Sequence, residues 1–171
     1  VVDGVLYHKK MGTVYCYPQG KKGDSYTIPD SVKTIYAHAF YNSQLKEVTM
    51  SDKVTKVQTG AFAESKNLTT VHFSSKTSQL FESAFENCSA LAKLELPESL
   101  TSIGSKCFSG CSTLTEVTVP ANVSVIDSAA FADCTALKTC AVLSKQVQRV
   151  AEDTFSGDTS LEKVSFAAGL M

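Results

Sequence analysis

The sequence has almost no net charge and no long hydrophobic run. Its 16 Lys and Arg residues and 17 Asp and Glu residues give a formal charge of −1. Such a chain has no long-range attraction to nucleic acid, an anionic membrane or an acidic substrate. No stretch approaches the roughly 18 apolar residues of a membrane span, and the first ten residues, VVDGVLYHKK, lack the hydrophobic core of a signal peptide. Either the protein stays inside the cell or a targeting segment has been removed before Val1.

An internal repeat of about 23 residues dominates the sequence. Its most regular residue is a phenylalanine, and the six copies lie 22, 23, 23, 23 and 24 residues apart, at Phe40, Phe62, Phe85, Phe108, Phe131 and Phe155. A small residue precedes each one, an aliphatic residue stands five positions before it, and a second stands eight positions before it in most copies. A leucine follows after five or six positions, with further apolar residues three and five positions beyond. Seven matching columns in six copies predict a repeat architecture.

A unit this short cannot bury its own apolar residues, so neighbouring repeats must stack and share one core. After each leucine the sequence alternates apolar and polar residues, which is typical of a half-buried strand. These segments are 45–50, 69–73, 92–96, 115–119, 138–142 and 162–166. Stacked once per repeat, they would form a parallel sheet roughly 25–30 Å wide. The V-x-x-I spacing predicts a second, shorter extended segment, and GSKCFSGC (104–111) is typical of a short helical or 3₁₀ turn.

Both ends of the chain depart from the repeat. Two short alternating runs near Val5–Tyr7 and Val14–Tyr17 predict a β-hairpin that caps the first coil. We therefore divide the chain into a cap and connector, 1–27, and a solenoid, 28–171, that forms one continuous domain. Because the sequence ends at AAGLM without a second cap, we expect a partner or further repeats of a longer protein to cover the last coil.

The repeat columns resemble the BspA-type leucine-rich repeat, most closely in LPESLTSIGSKCFSGCSTLTEVTV (96–119), and the opening DGVLY…VYCYP resembles the hairpin that often precedes such arrays. The resemblance covers nearly the whole chain. It implies a leucine-rich-repeat solenoid, a right-handed β/α superhelix that is mostly β with short helical turns. It also implies an exported bacterial surface protein, with adhesion to host matrix proteins or to other cells as the role of some members. The family's conserved columns are core positions, so the resemblance assigns no functional residue.

Two repeats depart locally from these columns. Repeat three has SSKTSQL (74–80) in place of the P-x-x-V element, which predicts a loose convex side. Repeat six has Thr154 and Asp158 in the small-residue and cysteine columns. We expect its packing to be less regular.

Catalytic and metal-binding patterns are scarce. Each of the six cysteines has a packing position, so we expect free thiols, and a spacing of 23 residues fits no zinc motif. The three histidines, His8, His38 and His72, belong to separate coils and faces and support no catalytic triad. A pair of carboxylates at a glycosidase separation stays open, without any positive signal. The sequence therefore predicts no enzyme, no cofactor and no metal. The three N-x-S/T sequons follow from the repeat columns themselves.

The outward columns of the predicted sheet are the candidate binding face, because they are held on rigid strands and do not pack in the core. The candidate residues are Glu47, Thr49, Thr70, His72, Lys93, Glu95, Glu116, Thr118, Thr139 and Lys163. Their mixed charges and hydroxyls suggest a protein or peptide partner, and the absence of aromatic rows in these columns argues against glycans and single-stranded nucleic acid. The alternative is that they are ordinary solvated strand positions.

Two functions follow from this reading. The first is a non-enzymatic interaction module of an exported or cell-surface protein, with adhesion through the strand face. The second is a structural spacer within a larger surface protein. We expect no insertion of this segment into a membrane and no nucleic-acid ligand. An enzyme would require a deep pocket that gathers titratable groups.

Overall fold

The computed structural model describes residues 1–147, 150–151 and 153–167, and these form a solenoid of about seven turns. The described residues contain strands and turns but no helix. The strands are β1 (Leu6–Tyr7), β2 (Thr13–Cys16), β3 (Ser25–Thr27), β4 (Thr34–Ile35), β5 (Glu47–Thr49), β6 (Lys56–Val57), β7 (Thr70–His72), β8 (Gln79–Leu80), β9 (Ser102–Ile103), β10 (Glu116–Val119), β11 (Val125–Ile126), β12 (Thr139–Val142) and β13 (Lys163–Phe166).

The V-x-x-I segments form the most continuous sheet of the molecule. It has seven strands in the order β1-β2-β4-β6-β8-β9-β11, and every pair after the first is parallel and in register with the repeat. The predicted second extended segment is therefore confirmed. Although each strand from β4 onward has only two residues, the aliphatic one points into the core, and Ile35, Val57, Leu80 and Ile103 are buried. We call this surface the seven-stranded sheet.

The segments after the leucines form the second sheet surface, which we call the strand face. Here the prediction of one continuous six-stranded sheet is wrong. The strand face consists of two three-stranded parallel sheets, β3-β5-β7 and β10-β12-β13, and residues 92–96 between them are not a strand. Ser25–Thr27, which lies within the predicted cap and connector, is the first strand of this face. The division of the chain at residues 27 and 28 stays a prediction.

We attribute the interruption to Phe73. Its position is taken by the slimmer Met50 and Val119 in other coils, and its ring lies edge-on against Phe85 of the following coil, with the ring centroids 5.6 Å apart and the planes at 70°. The ring thus lies between the coil that ends in β7 and the coil that contains residues 92–96. We infer that a side chain of this size prevents strand pairing between the two coils on the strand face, while β8 and β9 stay paired in the seven-stranded sheet.

The turns around each phenylalanine are not helical or 3₁₀, contrary to the prediction. Backbone φ angles between 51° and 81° recur two residues before and two residues after the phenylalanines, at His38, Gly60, Ser83, Lys106, Ala129, Asn42, Glu64, Asn87, Gly110, Asp133 and Gly157. This alternation points every second N–H group of the turn toward the next coil. The N–H of Phe40 donates to the carbonyl of Ala61 (2.7 Å), and that of Phe62 to the carbonyl of Ala84 (2.8 Å). The turns therefore form a third hydrogen-bonded ladder.

The core is a single spine that runs the length of the solenoid. Neighbouring rings from Phe40 to Phe155 stack with centroids 4.8–5.9 Å apart and planes within 16° of parallel. The first five of these rings are fully buried. Tyr17 extends the stack at the N-terminal end, with its centroid 5.2 Å from that of Phe40. Its N–H donates to the carbonyl of Ala39 (2.6 Å). The antiparallel pair β1–β2 precedes Tyr17, so the hairpin provides the capping contacts.

The two departures in the repeat have different outcomes. Repeat three is not loose on its convex side: Thr77 is buried, and its hydroxyl donates to the carbonyl of Val54 (3.1 Å). The irregularity of that repeat lies instead on the strand face, where residues 92–96 are not a strand. In repeat six, the hydroxyl of Thr154 and one carboxylate oxygen of Asp158 are buried without a hydrogen-bond partner among the described residues. The AGLM end (168–171) lies outside the described residues.

Candidate functional site

The predicted binding residues occupy the outward positions of the strand face in the expected register. Glu47 is paired with Thr70 and Thr49 with His72 across β5 and β7, and Glu116, Thr139 and Lys163 are aligned across β10, β12 and β13. Lys93 and Glu95 lie on the interrupted segment between the two sheets. All ten side chains are exposed or half-buried. Whether they bind a partner stays a prediction.

The interruption gathers six of the ten residues around two adjoining clefts. The first cleft, about 330 Å³, lies between β7 and residues 92–96, and Thr70, His72, Lys93 and Glu95 line it. The second cleft, about 370 Å³, lies between residues 92–96 and β10, and Lys93, Glu95, Glu116 and Thr118 are among its lining residues. We call the two clefts and the intervening segment the strand-face break. Thr139 and Lys163 lie on strands beyond β10.

The backbone of the strand-face break carries unused hydrogen-bonding groups. In other coils the N–H at the start of the segment donates to the preceding coil, as from Thr69 to Lys46 (2.8 Å) and from Lys138 to Thr115 (2.9 Å). Residues 92–96 make no backbone–backbone hydrogen bond with any described residue. Because most of this segment is exposed, water or a ligand can satisfy these groups without the cost of burying them unpaired.

The two clefts differ in charge. Beside the first cleft, Nε2 of His72 lies 2.8 Å from Oε1 of Glu47, an exposed contact that is an ion pair only when the imidazole is protonated. The second cleft has three carboxylates, Glu95, Glu98 and Glu116, and a single cation, Lys93. Lys93 forms no ion pair with any other described residue. The second cleft therefore favours a partner that presents a basic side chain.

The cysteines are free thiols, as predicted, but the packing position expected for Cys16 is wrong, because its side chain is exposed and only the other five are buried. Cys88, Cys111 and Cys134 form the expected ladder, and each Sγ donates to the carbonyl of the phenylalanine 26 residues earlier at 3.2–3.4 Å. Burial raises the pKa of these thiols well above the ordinary value, to about 12 for Cys134. Since the thiolate is the nucleophile and the metal ligand, these cysteines are chemically inert in the folded protein.

The histidines do not converge on one another. The ring of His8 lies near Tyr15, the ring of His38 lies near Tyr41, and His72 contacts Glu47. Within the described residues, no three His, Cys, Asp or Glu side chains are arranged to hold a metal ion. The same residues include no helix of the length and hydrophobicity that a membrane crossing requires.

Two features escaped the sequence analysis. The first is Asp158, which takes the cysteine position in repeat six. Its Oδ1 accepts a hydrogen bond from the N–H of Cys134 (2.7 Å), while its Oδ2 is buried and unpaired among the described residues. Burial raises the pKa of Asp158 to about 7, and the neighbouring Asp133 adds to the shift. The substitution was visible in the sequence, but the burial of its carboxyl group was not.

The second feature is a row of exposed aromatic side chains on the seven-stranded sheet. Tyr15, Tyr36 and Phe81 follow the buried aliphatic residue of β2, β4 and β8 at the same position and are 36%, 45% and 37% exposed. The strand-face columns, by contrast, contain no aromatic row. The residue immediately after each V-x-x-I element was the signal that could have revealed this row.

Comparison with known proteins places these features in a family context. Residues 13–138 match the sequence family of the BspA type leucine rich repeat region in six copies. Among solved structures, the chain is similar to a leucine-rich repeat protein of T. pallidum, with 28% identity and a TM-score of 0.84 over 95% of this chain and 82% of that one.

Two longer proteins also match. One is a leucine-rich repeat protein from Bacteroides ovatus, with 25% identity and a TM-score of 0.80 over 96% of this chain and 46% of that one. The other is a leucine-rich cell surface protein from Faecalibacterium prausnitzii, with 28% identity and a TM-score of 0.67 over 98% of this chain and 39% of that one. The chain thus spans less than half the length of either protein. No curated protein matches the chain.

Proposed function

Because this chain belongs to the BspA-type leucine-rich repeat family, we propose that it is a non-enzymatic interaction module of an exported or cell-surface protein, and that it binds a protein or peptide at the strand-face break. The role is adhesion to host or neighbouring-cell proteins. The Faecalibacterium relative, which is described as a cell surface protein, supports the location.

The observation that carries this proposal is the interruption of the sheet. An uninterrupted strand face would offer only side-chain tips, because the ladder uses its backbone groups. At the strand-face break, an extended segment with unpaired backbone groups lies between clefts of about 330 and 370 Å³. Side chains of both charges surround it, including Lys93 and Glu116. Rigid coils on either side hold these groups in place, which lowers the ordering cost of binding.

A structural spacer is the second candidate function. The continuous phenylalanine spine and the three hydrogen-bonded ladders favour a stiff rod, which is what a spacer requires. A spacer makes no demand on the identity of surface residues. The two functions therefore differ in one measurable respect: only the interaction module depends on the side chains at the strand-face break.

Surface plasmon resonance with immobilised fibronectin, laminin and collagen tests the proposal. We expect saturable binding to at least one of these proteins. Lys93→Ala and Glu116→Ala should each raise the dissociation constant about 5–30-fold, equivalent to about 1–2 kcal/mol. Lys163→Ala is the matched control, because it removes a similar charge from the same face beyond β12, and it should leave the affinity nearly unchanged.

Two results would contradict the proposal. If none of the three proteins binds, the chain is better described as a spacer. If binding occurs but is equally insensitive to Lys93→Ala, Glu116→Ala and Lys163→Ala, the strand-face break is not the contact site. Far-UV circular dichroism of each variant shows whether its fold is intact.

A further inference from the structure

We propose that the seven-stranded sheet carries a second, independent site, a cleft beside Phe81 that binds neutral pyranose units of a glycan chain. The site does not share residues with the strand-face break, and the proposal does not depend on the proposed function above. It rests on the shape of one cleft, on the chemistry of its lining and on the composition of the surface around it.

The cleft exists because one position in an otherwise regular column has no side chain. The column that follows the V-x-x-I elements contains Tyr15, Tyr36, Gln58, Phe81, Gly104 and Asp127. At Gly104 the backbone approaches the preceding coil so closely that a Cβ would lie 2.6 Å from the carbonyl carbon of Phe81. Glycine is therefore required there, and its place in the column stays open. The result is a cleft of about 370 Å³ between Phe81 and Asp127.

The lining of this cleft combines one aromatic ring with many hydrogen-bonding groups. Phe81 is 37% exposed. Hydroxyl and amide groups of Thr59, Gln79, Ser102 and Ser105, together with the carboxylates of Glu82 and Asp127, complete the lining. A pyranose ring has one face of C–H groups, which packs against an aromatic ring, and a rim of hydroxyls, which requires both donors and acceptors. Carboxylates accept such hydrogen bonds more strongly than neutral groups do.

Apart from the two carboxylates of the cleft itself, Glu82 and Asp127, the surrounding surface has little charge, which disfavours an anionic ligand. The outward columns of the seven-stranded sheet contain only two charged residues in twelve positions, Lys56 and Asp127. The two corresponding columns of the strand face contain five, together with His72. A surface with this little charge has no means of attracting a nucleic acid or a sulfated polysaccharide. It is compatible with a neutral chain of sugars.

The aromatic row gives the site a direction. The rings of Tyr15 and Tyr36 lie edge to face with their centroids 4.8 Å apart, and Phe81 follows two coils after Tyr36, with Gln58 between them. A glycan chain that crosses the coils can therefore place one unit against Phe81 and others toward Tyr36. A protein partner would need a contiguous apolar centre, and the hydroxyl and carboxylate groups around Phe81 interrupt such a centre.

The test is titration of the protein with four soluble neutral hexasaccharides: maltohexaose, laminarihexaose, mannohexaose and chitohexaose. Binding is followed by isothermal titration calorimetry and by amide chemical shifts of ¹⁵N-labelled protein. We expect at least one hexasaccharide to bind with a dissociation constant on the order of 0.1–1 mM, and to shift the amides of Phe81, Gly104 and Asp127. Phe81→Ala should weaken that binding at least about tenfold, and Asp127→Asn about threefold.

Tyr41→Ala is the matched control, because Tyr41 is a similarly exposed aromatic residue (40%) in the turn ladder rather than on the seven-stranded sheet. It should not affect hexasaccharide binding, and neither should Lys93→Ala at the strand-face break. The proposal is overturned if no hexasaccharide gives saturable binding, or if binding survives Phe81→Ala. It is equally overturned if none of the sugars binds and Phe81→Ala instead weakens the binding of a matrix protein.

Discussion

The stacked phenylalanine spine predicts that the same substitution has very different costs at different positions in the array. Phe85 lies in the middle: its ring is fully buried, stacked on Phe62 at 5.0 Å and on Phe108 at 5.4 Å, and it meets the edge of Phe73. Phe155 is half-buried and stacks on one described ring, that of Phe131, at 5.9 Å. Truncation to alanine removes the same side-chain atoms at both positions, but the surroundings of the two rings differ.

The magnitudes follow from burial and from the number of ring contacts. Truncation of a fully buried phenylalanine to alanine costs about 3–5 kcal/mol, and each lost aromatic pair contributes about 0.5–1.5 kcal/mol beyond its buried area. We therefore expect Phe85→Ala to lower the free energy of unfolding by about 4–5 kcal/mol. Phe155→Ala should lower it by about 1–2 kcal/mol, because less area and fewer ring contacts are lost. Against a domain stability of about 5–15 kcal/mol, the first change is severe.

Urea denaturation in reducing buffer measures both variants, with far-UV circular dichroism and tyrosine fluorescence as independent probes. Coincident transitions show that the array unfolds as one cooperative unit and that a single free energy is meaningful. Phe85→Leu serves as the control, because it keeps most of the side-chain volume but loses the ring pairs, and it should cost less than Phe85→Ala, about 1.5–3 kcal/mol. The reasoning is refuted if Phe85→Ala and Phe155→Ala destabilise the protein to within about 0.5 kcal/mol of each other.

Three further predictions concern the turns, the thiols and Asp158. Ala129→Gly should stabilise the protein by about 0.5–1 kcal/mol in thermal melts, because its φ of 55° suits glycine. Gly110→Ala should destabilise it, since a Cβ there would lie 2.2 Å from Oδ1 of Asn87. The turn geometry is contradicted if Ala129→Gly lowers the melting temperature or Gly110→Ala raises it. A thiol reagent at pH 8 should modify Cys16 at once and the other five cysteines only after denaturation, because Cys16 alone is exposed. The raised pKa of Asp158 means that the folded state binds one more proton than the unfolded state between about pH 4 and 7, so stability should fall as the pH rises through that window. Asp158→Asn should abolish that fall and, after allowance for partial exposure, raise stability at pH 8 by about 1 kcal/mol; an unchanged pH profile would show that the carboxyl group is ionised at no cost.

The candidate site was only partly predictable. The alternation in 45–50 and 115–119 placed Glu47 and Glu116 on the outer surface, and both lie there in the predicted register. The same alternation in 92–96 predicted a strand that is not present. Alternation reports which side chains face the core, but strand pairing also requires neighbouring backbones at a suitable distance. The bulk of Phe73, in the preceding coil, is a property that the alternation within 92–96 does not report.

The sequence by itself determined the period, the identity of the core residues, the capping hairpin and the packing role of the five repeat cysteines. These features depend on residue type and spacing within one repeat, which recur six times and therefore reinforce one another. Tertiary structure alone decided the left-handed φ angles of the turn ladder, the strand-face break, the open position at Gly104 and the burial of Asp158. Each of these results from the contact between two coils. The residues in contact are some 23 positions apart, so no local sequence pattern indicates how closely their backbones approach.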